Sequence, residues 1–266
     1  MASRPLLALR PVAAVHRLPP RSEACPLSLT DLLRLLEGGP GGPLPVVATP
    51  FAGVARAALL AAKDARAVVG LACVAIGVSP DAWFDAVCRA ADELAPGLPF
   101  FLSADVRVEA GAGGVARAVA RGQALVEAGV GHLAVDVSAL ALPHRAEAAA
   151  RVAGFAAERE IAVECVLPGD GAAPDPDDAA AFVEEFEGWG VRADVVGARL
   201  AAAGDGAEAR RQALALALLA RAIPGRWLAR RGPLSPALAE TLRRHPALRL
   251  CDDGAAAVAA GRRALP

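Results

Sequence analysis

The sequence predicts an α/β protein, a single-domain (β/α)8 TIM barrel, and three observations carry that expectation. Short apolar runs alternate with stretches of roughly 10 to 17 residues that have helical spacing. The apolar runs are hydrophobic throughout, as expected of parallel strands covered by helices rather than half-exposed strands. Eight such units fill roughly 220 residues, the count and size of that barrel.

Taken in order, the chain opens with a segment that has no acid before Glu23 and carries Arg4, Arg10, Arg17 and Arg21. Arg10 interrupts any signal-peptide core, so residues 1–27 are expected to be a flexible leader and residues 28–266 the barrel domain. Residues 28–37 (SLTDLLRLLE) form an amphipathic helix, followed by a Gly/Pro linker. Strands are expected at residues 44–49, 68–76, 99–104, 132–137, 161–166, 193–199, 226–230 and 247–251. Helices rich in Ala, Leu and Arg, all strong helix formers, are expected at 52–66, 81–95, 114–128, 144–159, 177–189, 207–223, 235–244 and 255–263. Ser79-Pro80-Asp81 and Ser235-Pro236 place a proline in a first turn behind an N-cap. Gly129 and Gly131 separate a helix from the next strand. Asp175-Pro176-Asp177 puts acids at a helix's positive end. An open doubly wound sheet would carry a Gly-rich fingerprint after its first strand, and Thr49-Pro50-Phe51-Ala52-Gly53 is not one. Gly111-Ala112-Gly113-Gly114 lacks the required spacing as well.

Composition narrows the function. With 28 basic and 29 acidic residues, the net charge of −1 gives no footprint for nucleic acid or an anionic membrane. No run of about twenty apolar residues reads as a membrane span. Five cysteines without a CxxC pair indicate neither a disulfide framework nor a Cys-rich zinc site, and a reducing, cytoplasmic location is expected. Lys63 is the only lysine, and it belongs to a helix, which disfavours Schiff-base chemistry. The chain has neither Asn nor Tyr. Trp83, Trp189 and Trp227 are too dispersed for a stacking platform.

Ligand sites of such barrels lie at the carboxyl ends of the strands. That level carries Thr49, Asp105, Asp136, Ser138, Glu164, Arg199, Arg230, Arg231, Asp252 and Asp253. Two readings stand side by side. In one, the mouth binds an oxygen-rich anion, with Asp105 or Glu164 as proton carriers. In the other, Asp–Arg and Glu–Arg pairs plug the barrel, because unpaired charges there would be costly. His16, His144 and His245 fall away from the mouth, and His132 begins a strand at the opposite, stability face. A His-ligated metal is not expected; a carboxylate Mg²⁺ site from Asp105, Asp136 and Glu164 is the remaining metal option.

Four stretches resemble the class II fructose- and tagatose-bisphosphate aldolase superfamily: SLTDLLRLLEGG with PVVATPF, FLSAD at 101–105, residues 127–169, and LARRGPLSPALAETL from Leu228. The resemblance implies a TIM barrel and carbon–carbon lyase chemistry on sugar phosphates. Asp105 matches the family's proton-transfer aspartate, and Asp136, Ser138 and Glu164 match polar strand-end positions. Gly232 and Ser235 fall in the stretch resembling the phosphate loop. The family's three zinc histidines are replaced by Val106, by Arg199-Leu200 and by Arg231, and its substrate-holding Asn has no counterpart. A degenerate member without Zn²⁺ is therefore expected, with no cofactor. It would bind a phosphosugar or other small anion through Arg199, Arg231 and the Gly232–Ser235 loop. An active lyase using Asp105 and Glu164 is the alternative. The family's second, non-catalytic barrel subunit suggests a third role, a scaffold for a catalytic aldolase subunit or a homo-oligomer, with an apolar patch on an outer helix such as 213–219.

Overall fold

A computed structural model describes residues 4–36, 43–73, 78–169, 171–201, 206–232, 236–242 and 248–252. Nine parallel-paired strands and ten α-helices occupy them. The N-terminal segment forms α1 (Arg4–Leu7), α2 (Val12–Arg17) and a two-residue strand, β1 (Cys25–Pro26), before α3 (Leu29–Leu36). The alternation follows as β2 (Leu44–Thr49), α4 (Ala52–Ala65), β3 (Val69–Cys73), α5 (Pro80–Leu94), β4 (Pro99–Arg107) and α6 (Gly114–Glu127). It continues with β5 (His132–Asp136), α7 (Arg145–Glu158), β6 (Ala162–Val166), α8 (Pro176–Gly188), β7 (Val195–Arg199) and α9 (Gly206–Ala222). It ends with β8 (Trp227–Arg231), α10 (Pro236–Leu242) and β9 (Leu248–Asp252). The helix expected at 255–263 lies outside the described residues.

Each strand from β2 to β9 pairs in parallel with the next, and β9 returns to pair with β2. The sheet thus curls into a TIM-barrel-like arrangement with alternating helices. The expected turn chemistry operates where it is described. Ser79 Oγ accepts the Ala82 N–H at 3.2 Å, and the Asp175 carboxylate accepts from Asp177 and Asp178. Gly129 has φ +101°, and a side chain there would strike the Phe84 ring.

Side-chain alternation divides the apolar residues into two cores. The outer one lies between strands and helices. The inner one is built on Leu44, Val46, Phe101, Val195, Ala229 and Leu250, and fills the amino-terminal half of the bore. Gly70 is required there, because a Cβ would collide with the Phe101 ring on the neighbouring strand.

The segment expected to be a flexible leader is packed. Cys25 and Pro26 pair with Pro99 and Phe100, and Leu6, Leu7 and Leu9 rest on the inner core. Ser22 and the Glu23 and Ala24 N–H groups all donate to the Asp92 carboxylate on α5. Arg17 reaches Asp81 and Asp85, and its guanidinium lies 5.2 Å from the Phe84 ring centroid. Apolar residues spread through a Pro-rich stretch give no clear period, so sequence pattern alone did not reveal this docking.

Candidate active site

The polar strand ends meet in two tiers within the bore. Register sets the lower one. Ser103 is partnered with His132, Asp105 with Ala134, and Ala134 with Glu164, so these residues share the inward face. Arg231, on β8, lies four strands round from β4, and its side chain spans the bore. Its Nη1 donates to Asp105 Oδ2 at 2.8 Å, and its Nη2 donates to Glu164 Oε2 at 2.9 Å. Its Nε donates to Glu164 Oε1, completing a side-on bidentate pair. Glu164 is 1 % exposed and Arg231 8 %, whereas Asp105 is 50 % exposed. Gly197 makes room for this pair, since a Cβ there would collide with Glu164 Oε1.

His132 belongs to this tier, a correction to the expectation that it serves only the stability face. It does begin β5, but its ring is buried in the bore with Nε2 3.2 Å from Glu164 Oε2. Its Nδ1 and the Ser103 hydroxyl share a hydrogen bond of 2.9 Å. Residues far apart in sequence thus form one chain: Ser103, His132, Glu164, Arg231 and Asp105. Burial pushes the Glu164 carboxyl up, but the charge and hydrogen bonds of Arg231 overcome this and hold it at about 2. It is therefore a fixed anion at neutral pH.

The upper tier lies one step nearer the rim. Asp136 Oδ2 accepts from Arg199 Nη2 at 2.8 Å, and Oδ1 accepts the Ser138 N–H at 2.9 Å. Burial opposes ionisation of Asp136, and the Ser138 and Arg199 hydrogen bonds outweigh it, lowering its pKa. The Arg199 side chain is 39 % exposed. Arg107 ends β4 on the same inward face and is exposed. Sequence reasoning ended that strand at residue 104 and so missed Arg107, although the 101-103-105-107 alternation was its signal. Ser103 and Gly197 were missed too.

Just past the end of β8, Gly232 adopts φ +115°, and a side chain there would collide with the Leu200 carbonyl. Its own carbonyl accepts from Arg230 Nη1, while Arg230 Nη2 donates to the Ala201 carbonyl at 3.2 Å. Arg230 is wholly buried behind the strand, not in the bore as its strand-end position suggested. Ser235 and Asp253 lie outside the described residues. Thr49 also turns outward, donating to the Ala72 carbonyl and accepting from the Trp83 indole.

The positions that match the family's zinc histidines are 106, 199–200 and 231. Val106 is buried in the outer core, and guanidinium groups occupy the other two places. The three carboxylates weighed for Mg²⁺ are each engaged by an arginine. Among the described residues, no three His, Cys, Asp or Glu side chains are grouped to hold a metal ion. No described helix is long and apolar enough to cross a membrane.

No protein-family model and no curated protein matches the chain. Solved structures do. The YdjI aldolase from Escherichia coli K12 is 15 % identical with a TM-score of 0.54, over 79 % of this chain and 74 % of that one. A probable tagatose 6 phosphate kinase from Sinorhizobium meliloti 1021 is 20 % identical with a TM-score of 0.58, over 80 % of this chain and 65 % of that one. 2,3-Dimethylmalate lyase, of the PEP mutase/isocitrate lyase superfamily, is 15 % identical with a TM-score of 0.55, over 92 % and 86 %. Aldolase- and lyase-type barrel enzymes are thus among this chain's structural neighbours, and at these identities the likeness establishes an aldolase-like fold.

Proposed function

We propose that this chain is a (β/α)8 barrel of class II aldolase type without the zinc site, and that it binds a sugar phosphate or similar small anion without turning it over. One observation carries the reading: Arg231 lies across the bore and ties up both carboxylates that a lyase would need as proton carriers. A general acid or base works best with a pKa near the operating pH and must reach the reacting group. Glu164 is fully buried and held at about 2, so it supplies neither. On this reading Arg231 provides the positive charge that a Lewis acid would bring, spent on the protein's own carboxylates instead of a substrate. Arg199, paired with Asp136 but still 39 % exposed at the rim, and the chain at Gly232 would meet the anion. Carbohydrate metabolism and a cytoplasmic location belong to the same proposal.

The scaffold reading has less behind it. Leu214 and Leu218 are exposed one turn apart on α9. Two leucines are a small spot beside the roughly 800 Å² per partner of a standard interface.

The deciding experiment is calorimetric titration of the full chain with a panel of sugar phosphates, alongside a coupled assay for aldol cleavage. Micromolar binding with no cleavage is the expected result. Cleavage of any panel member that Asp105→Ala abolishes without loss of fold would establish the lyase instead.

A further inference from the structure

We propose that Arg107 recognises the anionic end of the ligand, as a specificity contact separate from the Arg231 crossbar; this rests on the anion-binding reading above. Arg107 is the last residue of β4 and the register partner of Asp136 on β5. The Val108 N–H donates to the Asp136 carbonyl at 2.8 Å, so pairing holds the backbone on both sides of Arg107. Asp105, two residues earlier, points across the bore to Arg231. Strand alternation therefore puts Arg107 on the same face, one step nearer the rim.

Two acids flank Arg107, and both are engaged elsewhere. Asp136 holds Arg199 and the Ser138 N–H, and Asp105 holds Arg231. Among the described residues no ion pair or side-chain hydrogen bond includes Arg107. Its neighbours on β5 to β8 have sorted their charges into pairs and left this guanidinium over at the rim. An exposed cation without an acid partner attracts an incoming anion. Its planar fork of donors suits the paired oxygens of a phosphate or carboxylate. The rest of the ligand would extend over the crossbar toward Arg199, three strands round.

The test is calorimetric titration at fixed ionic strength with inorganic phosphate and, separately, malonate. It uses the wild-type chain, Arg107→Ala, Arg107→Lys, and Arg89→Ala on the outer face of α5 as a charge control. Arg107→Ala is expected to weaken binding at least tenfold, Arg107→Lys to restore part of it, and Arg89→Ala to change nothing. The tighter of the two anions names the group that Arg107 reads. Wild-type binding that Arg107→Ala leaves unchanged overturns the role of Arg107 while the anion-binding reading stands. An equal loss in Arg89→Ala overturns it too, because net charge would then suffice. Absence of wild-type binding to either anion, and to the sugar phosphates, overturns both. Arg107 is exposed and makes no side-chain contact that folding needs, so matching thermal melts are expected for the variants.

Discussion

Glu164 and Arg231 show how one pair can settle what a site is able to do. A carboxylate with essentially no water access survives in the bore only because a guanidinium meets it side-on and Gly197 leaves it space. Taking charges out of water costs several kcal/mol each, so such a pair is weak evidence of net stabilisation, but breaking it is expensive. Arg231→Met should therefore destabilise the protein by about 3–5 kcal/mol, read as a lower urea midpoint at an unchanged slope. The double change Glu164→Gln with Arg231→Met should recover much of that loss, because the stranded buried charge is then gone. A double-mutant cycle yielding no coupling between the two positions would show that the pair does not hold the site.

At the scale of elements, the N-terminal segment behaves as part of the barrel rather than as an appendage. Its leucines close the amino-terminal end of the bore, and its polar ties to α5 converge on one carboxylate, Asp92. Asp92→Ala would take the acceptor from the Ser22 hydroxyl and leave the buried Ala24 N–H only its longer bond to Ser22 Oγ, at a cost of about 1–3 kcal/mol for a donor left without its acceptor. The loss should be local first. Limited trypsin digestion is expected to cut after Arg17 or Arg21 sooner in this variant, with the barrel itself still folded. Cleavage at the wild-type rate would mean that apolar packing alone holds the segment. Arg17→Ala provides a milder comparison, since its partners Asp81 and Asp85 are half exposed or more and such pairs contribute little.

For the molecule as a whole, the paired carboxylates set the response to acid. Glu164 and Asp136 both have lowered pKa values in the fold, so the folded state holds their protons less tightly than the unfolded chain. The stability they confer is complete above the ordinary carboxyl value of 4.5 and is lost as pH falls from there toward about 2. Unfolding free energy should therefore be flat near neutrality and drop below about pH 4.5, with Glu164→Gln showing a shallower fall. Identical acid profiles for wild type and Glu164→Gln would place the acid-sensitive groups elsewhere.

Much of this molecule was legible in the sequence. Uninterrupted apolar strands and Ala/Leu/Arg helices are local patterns, and β2 was expected at the residues where it is found. Strand ends are local too, and they put Asp105, Asp136, Glu164, Arg199 and Arg231 at one level, along with Thr49 and Arg230, which the fold turns outward. What each of them does there is not a local property. Arg231 joins Asp105 over a separation of 126 residues and Glu164 over 67, contacts that exist only once the sheet has curled. His132 read as a structural residue because its position along the strand was known but its partners were not. The sequence by itself determined the order of elements and the ring of charges; only the tertiary structure decided which charges cancel, because pairing in a bore depends on distances across the barrel, which sequence spacing does not encode.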